Sequence, residues 1–125
     1  MNIFFIDDDT FLLNTLKVSL KSAKNFSFYF FTEGQKAIAK AENIKPNLVF
    51  LDINMPKMSG YLFSSLVDKN DNFKNTKIIL MTGESQLVGN YINITIPKKI
   101  DKIKKPFMLS EVINKIDTYT STASG

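Results

Sequence analysis

The 125-residue chain contains no cysteine and no histidine. Disulfides, thiol nucleophiles, Cys/His zinc sites, Cys-ligated clusters and Ser-His-Asp or Cys-His machinery are therefore excluded. Any chemistry must run through carboxylates, hydroxyls, amines, the backbone or an oxygen-seeking metal. Long apolar runs are missing as well: none approaches the roughly 18 residues of a membrane span. The opening Met1-Asn2-Ile3-Phe4-Phe5-Ile6-Asp7 also lacks the basic stretch and long apolar stretch of a secretory leader. The expectation is a cytoplasmic protein without membrane contact. What is present, 44% hydrophobic and 22% charged residues, suits one globular domain.

The formal charge of +4 is local. The stretch from Pro97 to Phe107 holds Lys98, Lys99, Lys102, Lys104 and Lys105 against the single Asp101, and outside it basic and acidic residues are equal in number. This pattern indicates a solvated edge. A nucleic-acid or membrane surface is the weaker reading, because one strip of lysine has no aromatic residues interleaved with it.

Two kinds of segment alternate. Ile3 to Ile6, Phe26 to Phe31, Leu48 to Leu51 and Ile78 to Met81 are short apolar runs rich in β-branched or aromatic residues, as expected of parallel strands covered on both faces. Between them come helical spacings: Leu13, Leu16 and Leu20, then Ala37, Ala41 and Ile44, then Leu62, Phe63, Leu66 and Val67. Leu87, Val88 and Tyr91 predict a short fourth helix, and Val112, Ile113, Ile116 and Tyr119 a last one capped by Ser110. A fifth, edge strand is expected around Lys102 to Lys104, with Ile103 turned inward and lysines blunting the open side. Such alternation builds right-handed βαβ units, giving an α/β fold with a doubly wound parallel sheet and helices on both faces. Residues 1–120 read as one domain and 121–125, Ser-Thr-Ala-Ser-Gly, as a frayed tail or the start of a linker.

In such sheets ligands bind beyond the carboxyl ends of the strands. Asp7, Asp8 and Asp9 follow the first strand, Asp52 the third, Thr82 the fourth and Lys105 the expected fifth. Each has a plainer explanation alone: an N-cap for the Asp run, a turn residue for Asp52, a helix cap for Thr82, a solvated charge for Lys105. Their shared location at one end of one sheet favours a pocket. If strand order brings Asp7, Asp8 and Asp52 together, the three carboxylates repel one another and ask for a hard divalent cation, Mg²⁺ first and Mn²⁺ second.

The strings Ile6-Asp7-Asp8-Asp9, Leu51-Asp52-Ile53-Asn54-Met55-Pro56-Lys57-Met58-Ser59-Gly60, Met81-Thr82-Gly83 and Lys105-Pro106-Phe107 resemble the receiver domain of two-component response regulators, the CheY-like family, over nearly the whole chain. The resemblance implies a flavodoxin-like five-stranded sheet of order 2-1-3-4-5. It further implies Asp52 as phosphoacceptor, Asp8 and Asp52 as direct Mg²⁺ ligands, Asp7 acting largely through bound water, and the Asn54 backbone carbonyl completing the set. Thr82 and Lys105 would hold phosphoryl oxygens, and the bond before Pro106 is often cis in the family. The function implied is a phosphoprotein switch with only self-catalysed phosphotransfer and dephosphorylation. It would be charged by a histidine kinase or histidine phosphotransfer protein and read by an output partner or effector domain.

Two features depart from that pattern. Lys102 stands where receivers usually carry an aromatic residue, and Pro97-Lys98-Lys99-Ile100-Asp101 replaces the customary small-residue segment. Asn54 and Glu84 occupy positions that tune phosphoryl lifetime in the family. The competing reading is a haloacid-dehalogenase-type phosphatase, with Asp7 as nucleophile and Asp9 as acid/base. Against it, Phe11 sits where that signature has Thr or Val, and the chain is short for its later motifs.

Overall fold

The apolar runs form strands because their alternating residues bury against helices on both sides. In the computed structural model, which describes residues 1–53, 60–83 and 99–121, the order is β1 (Asn2–Ile6), α1 (Thr10–Ser19), β2 (Ser27–Phe31), α2 (Gly34–Lys40), β3 (Leu48–Asp52), α3 (Gly60–Val67), a 3₁₀ turn (Asp71–Phe73), β4 (Lys77–Thr82), β5 (Lys99–Lys104) and α4 (Leu109–Thr120). The five strands pair in parallel in the order β2-β1-β3-β4-β5. This is the doubly wound, flavodoxin-like sheet expected.

Period-two alternation divides the core in two. Phe4, Ile6, Val49, Leu51, Ile78 and Leu80 face Ala37 and Ala41 around α2, Phe63 and Val67 of α3, and Phe73. Ile3, Phe5, Leu48, Phe50, Ile79 and Met81 face Leu13, Leu16 and Leu20 around α1 and Val112 and Ile116 of α4. Phe5 anchors the second layer, stacked on Phe50 at 4.7 Å and on Phe30 at 5.4 Å between ring centroids. Burying each such side chain contributes about 1.5–3 kcal/mol, and the rings hold β2, β1 and β3 in one register.

Several expectations need correction. Of the third helical stripe only Phe63 and Val67 are buried; Leu62 and Leu66, one position earlier on the helix, are 46% and 50% exposed. The i, i+4 pair fills the narrow strip of sheet that α3 covers, and each neighbour is rotated about 100° away from it. Ile113 of α4 is likewise exposed, while Val112 and Ile116 are buried. Ser110 is not the cap of that helix. The N-cap is Met108, whose backbone N–H donates to Glu111 Oε2 at 2.9 Å, so the Glu three residues on starts the helix two residues earlier. The fifth strand is longer than expected, Lys99–Lys104, with Ile103 buried as anticipated and Lys102 exposed. The predicted helix at Leu87, Val88 and Tyr91, along with Asn54, Pro56, Glu84, the segment from Asn93 to Lys98 and the tail from residue 122, lies outside the described residues.

Candidate functional site

Four strand ends converge on one small volume. β1 delivers Asp7, fully buried, whose backbone N–H still reaches the Phe31 carbonyl of β2 at 3.0 Å. Asp8, next in line, is exposed. Asp9 turns back as the N-cap of α1, its Oδ1 accepting from the Leu12 N–H at 3.1 Å. The plain capping explanation thus holds for Asp9 and leaves Asp7 and Asp8 to be accounted for. Asp52 closes β3 and is 6% exposed.

Carboxylate oxygens of Asp7, Asp8 and Asp52 lie within 4.8 Å of one another. Lys105 reaches them from beyond β5, its Nζ 2.6 Å from Asp7 Oδ2 and 3.7 Å from Asp52 Oδ1. Its backbone N–H donates to the Thr82 carbonyl at 2.7 Å, tying the β5 end to the β4 end, and the Lys105–Pro106 bond is cis. Thr82 is 2% exposed, and its Oγ1 has no hydrogen-bond partner among the described residues. A cleft of about 310 Å³ lined by Asp9, Leu12, Lys105, Pro106 and Phe107 opens beside the group.

Three carboxylates around one ammonium leave a local surplus of negative charge. Bringing such groups out of water against one another is unfavourable unless a cation shares them. The oxygen-only donor set, the close approach and one solvent-facing member are compatible with a hard divalent metal such as Mg²⁺, which Asp7, Asp8 and Asp52 together could hold. Asp7 is held at both carboxylate oxygens: Oδ1 accepts from the Asp9 N–H at 2.9 Å and Oδ2 from Lys105. Both its oxygens are engaged, which counts against Asp7 as an attacking nucleophile and so against the phosphatase reading.

One cluster was not anticipated. Asp101 of β5 accepts from Lys115 Nζ at 2.5 Å and Tyr119 Oη at 2.8 Å, both on α4, and from the Lys102 N–H. Burial pushes the Asp101 carboxyl pKa up, but the hydrogen bonds from Lys115, the Lys102 N–H and Tyr119 outweigh it and hold it below the usual carboxylate value. The hydrogen bond to Asp101, aided by burial and the carboxylate's charge, pushes Tyr119 above the ordinary phenol. A lone Asp in a lysine run was the available signal, but its partners lie 14 and 18 residues away.

The profile of the response regulator receiver domain matches residues 3–117. Chemotaxis protein CheY of Thermotoga maritima is 30% identical over 115 residues, covering 92% of this chain and 93% of its own. Protein PilG of Pseudomonas aeruginosa is 26% identical over 119 residues, covering 95% and 87%. Several other curated relatives are longer, and the chain spans about half of them, 52% of the cell cycle transcriptional regulator CtrA of Caulobacter vibrioides for one. Among solved structures, the receiver domain of a Pseudomonas aeruginosa sensor histidine kinase superposes with a TM-score of 0.79 at 19% identity, covering 94% of this chain and 95% of that one. That structure has a magnesium ion coordinated in its active-site cleft. Fold, matched length and the acidic cluster at the strand ends agree, and the chain belongs to the response regulator receiver domains of two-component signalling.

Proposed function

We propose that Asp52 is the phosphoacceptor of a signalling switch, charged by the phosphohistidine of a histidine kinase or histidine phosphotransfer protein. Domains of this family act as switches rather than turnover enzymes. The observation that carries the reading is the convergence on Asp52 at one end of the sheet: its carboxylate lies within 4.8 Å of those of Asp7 and Asp8, and Lys105 Nζ is 3.7 Å from its Oδ1. Asp7 is held by the Asp9 N–H and Lys105, and the Thr82 hydroxyl, without a hydrogen-bond partner among the described residues, closes the neighbouring strand at the same end.

In the transfer, an Asp52 carboxylate oxygen forms a bond to phosphorus as the phosphorus–nitrogen bond of the donor breaks, and the imidazole leaves with that electron pair. A divalent cation bound by Asp8 and Asp52 would supply charge cancellation between the two anionic partners. Lys105, already 3.7 Å from Asp52, is drawn further toward it, because a phosphorylated Asp adds roughly one negative charge beyond the carboxylate it replaces. The Thr82 hydroxyl, which has no partner among the described residues, donates to a phosphoryl oxygen. Water later attacks phosphorus, releasing inorganic phosphate and restoring the carboxylate.

Moving Lys105 and Thr82 displaces the ends of β5 and β4, to which they belong by the Lys105 N–H to Thr82 carbonyl bond. That displacement is the signal read by the output partner or effector. No helix among the described residues is long and apolar enough to cross a membrane, and the same reading places the switch in the cytoplasm. Incubation with acetyl phosphate and Mg²⁺ should add one acid-labile phosphoryl group, mapped to Asp52. Asp52→Asn keeps the shape but removes the anionic nucleophile, so labelling should vanish while the fold survives. Undiminished labelling of Asp52→Asn, or a label on Asp7, overturns the assignment.

A further inference from the structure

The sheet has two edges, and they are finished differently. β5 carries Lys99, Lys102 and Lys104, breaks register against β4 between Ile78 and Ile79, and satisfies the Lys102 N–H internally on the Asp101 carboxylate at 2.8 Å. Charge, irregularity and occupied donors are the means by which native sheets keep an edge from pairing. β2 has none of them. Ser27-Phe28-Tyr29-Phe30-Phe31 is uncharged, holds unbroken register with β1, and leaves its four aromatic residues half-buried.

The direction of its backbone groups follows from two bonds of the ladder. The Ser27 N–H donates to the Met1 carbonyl at 2.9 Å, and the Phe31 carbonyl accepts from the Asp7 N–H at 3.0 Å. In a parallel pair, alternate residues turn both groups to the same neighbour. Ser27, Tyr29 and Phe31 therefore serve β1. Phe28 and Phe30, with Phe26 and Thr32 beside them, present theirs to the open side, where no described strand lies.

We propose that this edge pairs antiparallel with the same edge of a second copy of the chain, across a two-fold axis at Tyr29, to form one continuous sheet of twice the width. The occupant follows from self-complementarity. With Tyr29 opposite Tyr29 of the second copy, Phe28 falls opposite Phe30 and Phe26 opposite Thr32. Every residue with outward backbone groups then meets another, and each pair exchanges two hydrogen bonds. The axis keeps each face of the sheet on its own side. Phe28 and Phe30, which pack on the same layer as Phe5, thus form cross-strand aromatic pairs. No like charges meet within the paired strands, whereas the same operation at β5 would set lysine against lysine. Lys40 Nζ lies 5.9 Å from the Tyr29 ring centroid, so two ammonium groups border the axis. Salt screens them, and the association should tighten as ionic strength rises, opposite to a complex held by charge pairing.

Because the chain has no cysteine, one introduced thiol per copy reports the register. At the axis, a non-hydrogen-bonded antiparallel pair sets Cα atoms about 4.5 Å apart, within the ~4.4–6.8 Å that a disulfide spans. Position 27, displaced toward Phe31 of the second copy, leaves its two thiols roughly 13 Å apart at the strand rise. Sedimentation velocity of the wild type should show a reversible monomer–dimer equilibrium, shifted to dimer by added sodium chloride. Mild oxidation should cross-link Tyr29→Cys and leave Ser27→Cys monomeric. Ser27→Lys, at an exposed position, places an ammonium against Phe31 of the second copy and should shift the equilibrium to monomer, with a thermal midpoint equal to that of the wild type at concentrations where the wild type is itself monomeric. A wild type monomeric at every concentration and salt, equal cross-linking of the two cysteine variants, or undiminished association of Ser27→Lys overturns the proposal. None of these readings depends on phosphorylation of Asp52.

Discussion

The two ends of β4 carry the same residue in opposite circumstances. Thr76 precedes the strand and Thr82 closes it, and both are buried, 5% and 2% exposed. Thr76 Oγ1 donates to the Pro46 carbonyl at 2.6 Å; Thr82 Oγ1 has no partner among the described residues. The contrast extends across the sheet. At the amino end the Asn2 N–H donates to Asn47 Oδ1 at 2.7 Å, Asn2 Nδ2 to the Lys45 carbonyl, the Asn47 N–H to the Asn2 carbonyl and the Lys77 N–H to the Asn47 carbonyl. At the carboxyl end three carboxylates share one ammonium. One end closes its own hydrogen bonds, and the other leaves charge and a hydroxyl for something bound. Buried polar groups are otherwise paired almost without exception, so a buried hydroxyl without a partner among the described residues supports the proposed site at this end.

The sharpest way to break this comparison is to remove the surplus charge. Asp8 is exposed and belongs to the carboxylate group, so Asp8→Ala deletes the proposed metal ligand without opening a cavity. Mg²⁺ should raise the thermal midpoint of the wild type, since a ligand that binds only the folded state stabilises it by mass action. In Asp8→Ala that rise should disappear, together with labelling by acetyl phosphate. The metal-free variant should be at least as stable as the wild type, because one repelling carboxylate is gone. An equal Mg²⁺ response in both proteins would mean that the acidic end is a solvated surface and nothing more.

The two threonines supply the next test. Thr76→Val strands the buried Pro46 carbonyl and should cost about 1–3 kcal/mol in denaturant unfolding. Thr82→Val removes a hydroxyl with no partner among the described residues, so it should be neutral or slightly stabilising in the unphosphorylated protein. Its cost should appear only after phosphorylation, as slower labelling or a changed phosphoryl lifetime. A Thr82→Val variant destabilised as much as Thr76→Val would erase the distinction between the ends.

How much of this was readable beforehand depends on the range of the interactions. The strands were legible because Ile3 to Ile6 or Leu48 to Leu51 must be buried on both faces wherever they sit. Asp7, Asp52, Thr82 and Lys105 were legible as a group because each closes or directly follows an apolar strand run, and parallel strands end on one side; the Asp7–Lys105 bond joins residues 98 apart without needing a finer rule. Periodicity names a helical stripe but not its centre, so Leu62, Leu66 and Ile113 were placed inside when the docked helix leaves them out. The start of α4 was misread because Ser110 is a good cap in isolation, while Glu111 reaching back to Met108 decides the matter. The Thr76–Pro46 and Asp101–Tyr119 bonds need docked elements before they can exist, and no local pattern announces them.

The Asp101 cluster extends the comparison to the side of β5, where a satisfied network sits one strand residue from exposed Lys102. Asp101 has its pKa lowered from 3.8, so its contribution to stability is present above that value and lost as pH falls through the lowered one. Tyr119 has its pKa raised from 10.0, so its contribution is present below pH 10.0 and lost as pH rises through the raised value. Asp101→Ala should cost on the order of 1 kcal/mol at neutral pH, as for a partly solvated ion pair with one added hydrogen bond. Ultraviolet titration of tyrosinate gives the finer readout. Subtracting the Tyr119→Phe curve from that of the wild type should isolate a phenol ionising above 10.0, and Asp101→Asn should bring it back toward the ordinary value. If Tyr119 ionises at the same pH in wild type and Asp101→Asn, the bond from β5 to α4 does not hold in solution, and the β5 side is no better finished than the acidic end.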